Sequence, residues 1–276
     1  MRTYALPPGG LSPQTTKLDE RAHFTEAYAY IPADTMRDIT TSYLPHWTDM
    51  RMWIIARPLS GFAETFSHYI VELAKGGGSD KPEPDLGAQA VLFVVGGEVT
   101  LTLAGKDHKL AAGGYAYIPP AMDWTIAQSG DGPATFHWIR KAYHYVDGIE
   151  TPEAFVTHDD DVPAVEMPDC EGVWCTTRFV DPSDLRHDMH VNIVSFKDGG
   201  VIPFMETHVM EHGLYVLEGS AEYRLNQQWV SVGPGDYMWL RAFCPQACRA
   251  TGKGDFRYLL YKDVNRHPAL PFTPRR

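Results

Sequence analysis

The stretch ETHVMEHGLYVLEG, residues 206–219, sets Glu206, His208 and His212 at two- and four-residue steps and then runs into an apolar segment. Alternate residues of a strand share a face, so an extended or gently turned backbone aims all three side chains the same way. One carboxylate and two imidazoles are a partial metal-ligand set without a thiolate. Such a set suits manganese or iron(II) better than structural zinc or copper. A fourth donor must come from another strand, and Gln246, directly after GPGDYMWLRAFCP, is placed to supply it. Taken singly, each histidine reads as an ordinary strand residue and Glu206 as solvated. Four donors in one register argue for a metal.

Other residues with chemical potential have plainer readings. Tyr258, Leu260 and Lys262 alternate along FRYLLYKDV, and Tyr223 sits within AEYRL. A lysine turned into a β-barrel is costly unless it is paired or functional. The opposite parity puts Tyr261 inside instead, and periodicity leaves both open. Cys244 and Cys248 flank Gln246, but small buried cysteines are common core residues. Cys170 and Cys175 complete a set of four without CxxC spacing, which points to reduced, structural thiols. The run His158–Asp159–Asp160–Asp161 turns its side chains in several directions and is expected to be a solvated loop. His68, His108, His137 and His144 show no matched partner and are expected as surface or core filler.

The elements that position these residues are mostly short alternating runs such as VTLTLAG and AEYRLNQQWVSV, divided by Gly, Pro and Asp. Two segments superimpose without gaps at a shift of 122 residues: Gly97 falls on Gly219, Gly113 on Gly235 and Tyr115 on Tyr237. The same shift lays KGGG at 75–78 on KDGG at 197–200. Several coincidences in one register imply a duplicated β unit, and antiparallel units of this size form double-sheet jelly rolls. The expected fold class is therefore all-β, with two tandem jelly-roll barrels. The expected divisions are an N-terminal arm (1–50), an N-terminal lobe (51–144), a connector with one strand in GVWCTTRFV (145–188), a C-terminal lobe (189–268) and a tail (269–276). Shifted back by 122, the four donor positions become Pro84, Leu86, Ala90 and Trp124, so the N-terminal lobe is expected to be metal-free.

Composition limits the partners. With 276 residues, 44% hydrophobic and 21% charged, the chain has the make-up of a folded protein with a sizeable core. A net charge of −11 argues against nucleic acid or an anionic membrane as the main partner and leaves a small molecule. The opening residues lack the apolar run of a signal peptide, and no stretch approaches a membrane span. A cytoplasmic protein, acting as a homo-oligomer, is the expectation.

The full pattern is Gly200-x5-Glu206-x-His208-x3-His212-x6-Gly219, followed by Gly235-x10-Gln246. It resembles the two motifs of the cupin superfamily, G-x5-HxH-x3,4-E-x6-G and G-x5-PxG-x2-H. Glu replaces the first His, His replaces the Glu and Gln replaces the last His, while Arg241 and Phe243 stand at the usual Pro and Gly. This Glu/His/His/Gln variant, with KDVNRHP after the last strand, resembles the (S)-ureidoglycine aminohydrolases of purine and allantoin breakdown. The resemblance runs over roughly 45–268 and is most specific from His190 to Pro268. It implies a bicupin with one Mn²⁺ per chain on Glu206, His208, His212 and Gln246. It also implies that Tyr223, Tyr258 and Lys262 line the active site, with Lys262 and Tyr258 catalytic and Tyr223 binding substrate. The implied reaction is hydrolysis of (S)-ureidoglycine to (S)-ureidoglycolate and ammonia. Two rivals remain open at this level: a manganese or iron oxygenase or oxidase, and a non-enzymatic bicupin binding protein.

Overall fold

In the computed structural model, residues 2–10, 13–15, 21–36, 44–264 and 266 are described. The expected tail and Asn265, His267 and Pro268 of KDVNRHP lie outside the described residues. Regular structure within them is β, apart from two 3-10 turns at Ala33–Thr35 and Pro58–Ser60.

The N-terminal lobe is a nine-stranded antiparallel sheet curled towards closure. Its 13-residue strand Ser67–Ser79 pairs with Ala134–Ala142 along most of its length and with Trp124–Gln128 at its far end. One strand thereby serves both walls. The C-terminal lobe opposes a long sheet to a three-stranded one made of Gln228–Val232, Ala221–Leu225 and Gln246–Ala250. The heart of the long sheet is Tyr237–Leu240, His212–Glu218, Phe256–Asp263 and Met189–Phe196. This all-β, two-lobed architecture is the one expected of a bicupin.

Segments outside the two repeats complete both sheets. The arm strand Tyr28–Ile31 pairs with Tyr237–Leu240 in the C-terminal lobe. The connector holds three strands where one was expected. Phe155–His158 joins Gly114–Ile118 of the first lobe, whereas Ala164–Glu166 and Trp174–Thr177 extend the long sheet of the second.

The matched glycines have a shared cause. Gly97 and Gly219 both adopt positive φ, 68° and 73°. A Cβ on either would stand 2.2 Å from Pro133 O or 2.3 Å from Asp255 O, closer than any side chain tolerates. Each glycine thus lets the strand leave its sheet where the chain of the last strand passes against it.

Among the described residues, three cores hold the molecule. Trp47, Leu92, Leu101, Phe136 and Trp138 fill the first barrel, and Tyr223, Leu225, Val216, Met238 and Tyr258 fill the second. The third core lies between the lobes, where Ile70, Val91, Phe93 and Ile139 meet Val191, Ile193, Leu217 and Leu259. Phe66 stacks on Tyr261 across this seam at 3.8 Å. Burying each such side chain contributes roughly 1.5–3 kcal/mol.

The central sheets are therefore covered on both faces, and their strands read as continuous apolar runs without alternation. The parity of Lys262 is resolved in the same way. Tyr261 packs in the seam, and Lys262 turns the other way into the C-terminal barrel.

Two expectations are corrected at the seam. His68 and His137 are partners, with His68 Nε2 2.9 Å from His137 Nδ1 and both side chains fully buried. Asp159 is not solvated but fully buried. It binds Arg2 and Arg257 at 2.7 Å each and accepts a hydrogen bond from Tyr4 Oη at 2.9 Å. Strand parity and a three-acid run were read locally, and neither shows which surface a second lobe will cover.

Candidate metal centre and active site

Glu206 and His208 do not lie on a regular strand. The backbone from Val201 to Glu211 is irregular and is pinned at a few points. Glu206 and Gln246 exchange backbone hydrogen bonds, each N–H donating to the other's carbonyl at 2.9 Å. Directly opposed residues in such a bridge project to one side, which brings the Glu206 and Gln246 side chains together. Phe243 N donates to His208 O at 2.6 Å and holds the next part of the segment. His212 opens the following strand and lies opposite Lys262 in register.

All seven residues singled out in the sequence line one cavity of about 100 Å³ inside the C-terminal barrel. Glu206, His208 and Gln246 approach from the short-sheet side, His212, Tyr258 and Lys262 from the long sheet. His208 Nε2 lies 3.6 Å from Glu206 Oε2, and Gln246 Nε2 lies 3.4 Å from His212 Nδ1. The two imidazoles are edge to face with centroids 5.1 Å apart.

The electrostatics suit a cation. Burial, then the nearby His208 and Lys262, push His212 down to about 3, so its ring nitrogens stay neutral at ordinary pH. A neutral imidazole is the form that binds a metal. Gln246 Oε1 accepts a hydrogen bond from Tyr223 Oη at 2.8 Å, and the amide oxygen's second lone pair remains for a cation. The donor chemistry therefore fits a hard or borderline divalent ion in a mixed nitrogen and oxygen site. Lys262 is depressed by burial first and then by Arg178, with Glu206 acting the other way. Burial raises Tyr223 and Tyr258 well above the usual phenol range, which keeps both hydroxyls protonated donors.

Sequence reasoning missed part of the wall. Trp174, Thr176 and Arg178 of the connector line the cavity, as does Asn192. Their alternation in GVWCTTRFV was the available signal. Cys244 and Cys248 are buried in the barrel core.

The donor atoms of His158, Asp159 and Asp160 also gather within 4.8 Å of one another. There Asp159 is already neutralised by two guanidinium groups, so a cation would have to displace its partners. The seam ion pairs explain that cluster without a metal.

The N-terminal barrel offers a contrast built on the same plan. Trp124, at the position matching Gln246, packs edge to face on Trp138 with centroids 6.0 Å apart. Trp47 lies against the same Trp138 at 5.5 Å. Aromatic rings occupy the space that is open in the other lobe.

Two barrels, one of them enclosing a cavity ringed by nitrogen and oxygen donors, define a bicupin, and residues 69–140 and 192–261 each match the cupin domain family. The (S)-ureidoglycine aminohydrolase of Arabidopsis thaliana is 33% identical over 263 residues, spanning 94% of this chain and 80% of the relative. The chain belongs to the (S)-ureidoglycine aminohydrolase family, whose members are hydrolases acting on carbon–nitrogen bonds. A solved structure, a glyoxylate-induced protein from Pseudomonas aeruginosa, is 64% identical, covers 99% of this chain and 100% of its own, and superimposes with a TM-score of 0.92. Salicylate 1,2-dioxygenase from Pseudaminobacter salicylatoxidans, 14% identical over 92% of this chain and 89% of its own, reaches a TM-score of 0.64 and shares the fold alone.

Proposed function

We propose that this protein hydrolyses (S)-ureidoglycine to (S)-ureidoglycolate and ammonia, using one Mn²⁺ per chain held by Glu206, His208, His212 and Gln246. The observation that carries the reading is the convergence of these four donors with Lys262 and Tyr258 on one small cavity, in a chain of this family. Bound there, manganese supplies positive charge and a template that holds the substrate's amine or carboxylate.

The side chains account for the rest. In the substrate one carbon carries an amine, a ureido nitrogen, a hydrogen and a carboxylate. Water adds its oxygen to that carbon, the bond to the amine nitrogen breaks, and the proton taken from water is returned to that nitrogen, which leaves as ammonia. Lys262, with its proton affinity lowered by burial and Arg178, takes the proton from water. Tyr258 stays protonated and donates a hydrogen bond to the reacting groups. Tyr223 binds substrate and, through its bond to Gln246, orients the fourth ligand. Arg178 on the cavity wall gives the substrate carboxylate a cationic partner.

The working protein on this reading is a cytoplasmic homo-oligomer. Phe204, Met205, Val209 and Phe243 are exposed large apolar side chains on the segments carrying the ligands, which supports burial in an assembly. Light scattering tests that part.

The decisive assay is ammonia release from freshly prepared (S)-ureidoglycine after chelation, with and without added Mn²⁺. Chelated protein is expected to be slow and manganese to restore it, while His208→Ala with His212→Ala removes both metal and rate. Ammonia release no faster than the spontaneous rate overturns the assignment. Because the fold also carries a dioxygenase, oxygen uptake during turnover would move the reading to redox chemistry.

A further inference from the structure

Immediately before the proposed metal ligand His212 in the chain lies a buried carboxylate that the reaction does not use. Glu211 is only 6% exposed. Its oxygens accept hydrogen bonds from Glu64 N at 2.6 Å, Thr65 N at 2.8 Å, Thr65 Oγ1 at 2.5 Å and Trp239 Nε1 at 2.5 Å. Three of these four donors belong to the N-terminal lobe.

The contact reaches both sides of the active-site pair. Glu211 N donates to Asp263 Oδ1 at 2.6 Å, so the residue before His212 is tied to the residue after Lys262. His212 and Lys262 are themselves opposed in register. Thr65 Oγ1 also lies 2.9 Å from Tyr261 Oη, on the other neighbour of Lys262. Phe66 presses on the backbone at Gly213, where a Cβ would stand 2.6 Å from its ring.

The segment that delivers these donors is held in a costly shape. Ala63 is buried with φ of 64°, in the left-handed region that non-glycine residues avoid. Such strain persists only where the surroundings impose it, and here it aims two consecutive N–H groups at one carboxylate.

We propose that Glu211 is a positioning residue, through which the Glu64–Thr65 segment of the N-terminal lobe fixes His212 and Lys262 and so sets how tightly the C-terminal cavity holds its metal. The inference rests on the functional reading above. It gives the first lobe, whose own barrel is filled by tryptophans, a role in the chemistry of the second.

Manganese affinity of the full-length chelated protein, read from the EPR signal of free Mn²⁺ during titration, tests the role apart from turnover. Glu211→Gln places an amide donor against N–H donors and is expected to weaken binding several-fold, up to the roughly 10–100-fold seen when a group bonded directly to a metal ligand is lost. Thr65→Val keeps the backbone donors, folds if the stronger variant does not, and is expected to weaken binding several-fold. Asp159→Asn loosens the lobe junction elsewhere and is expected to leave affinity unchanged. Unaltered affinity in both Glu211→Gln and Thr65→Val refutes the positioning role, and so does an equal loss in Asp159→Asn, which would indicate general loosening. A wild type without a manganese site overturns the functional reading and this inference together, whereas a wild type that binds no better than the variants overturns this inference alone.

Discussion

Lys262 shows what a single residue inherits from its surroundings. Its ammonium group lies in a barrel wall beside His212 and under the influence of Arg178, and burial lowers its proton affinity. An amine depressed in this way gains its neutral, basic form as pH rises through a value below the ordinary 10.5. Turnover is therefore expected to increase with pH along a limb set below that point. Lys262→Met keeps most of the stem's packing. It is expected to retain metal content and thermal stability while the turnover number falls by roughly 10²-fold or more. A variant that keeps both its rate and the wild-type pH limb would move the proton-transfer role to another group.

Among the elements, the irregular Val201–Glu211 segment and the two matched glycines matter most. A regular strand would have placed Glu206 and His208 by alternation alone. Instead, backbone bridges to the Gln246 strand set their positions, so alternation alone does not explain why these side chains reach the cavity. Gly219 carries a comparable constraint, since Asp255 O lies where its Cβ would be and φ is positive. Gly219→Ala is expected to cost about 1–3 kcal/mol in chemical denaturation, the scale of a strained backbone position. The matching change Gly97→Ala is expected to cost a similar amount. If Gly219→Ala is as stable as wild type, the close approach is relieved by a small local shift and the glycine is not required.

For the whole molecule, the seam between lobes dominates. His68 and His137 are fully buried there, and burial drives both towards the neutral form, His137 down to about 3 and His68 well below its usual value. Since the folded values lie below the unfolded value of 6.5, the unfolded chain binds more protons between them. The stability tied to this pair is fully present above about pH 6.5 and is lost progressively as pH falls towards 3. Between pH 7 and pH 5 the loss at His137 is roughly 2 kcal/mol. Asp263, raised to about 6 mainly by burial, acts in the opposite direction over part of that window. Denaturant titrations of His68→Gln with His137→Gln at the two pH values are expected to show a smaller acid loss than wild type. An unchanged loss would place the acid sensitivity elsewhere.

The sequence by itself determined the duplicated all-β plan, and it singled out the side chains that the fold gathers around one cavity. Repeated glycines and a ligand pattern are local features: each glycine answers a nearby backbone clash, and Glu206, His208 and His212 fall within seven positions of one another. The choice of Gln246 in the C-terminal lobe followed from the same register. Only the tertiary structure decided which way Lys262 faces, because a strand buried on both sides carries no alternation to read. It alone paired His68 with His137 and buried Asp159 between two arginines, since those partners lie far apart in the chain. It also placed Arg178 on the cavity wall and brought Glu64 and Thr65 to Glu211. The Asp159 and Glu211 contacts are products of packing one lobe on another, and local sequence spacing does not encode the face on which two lobes meet.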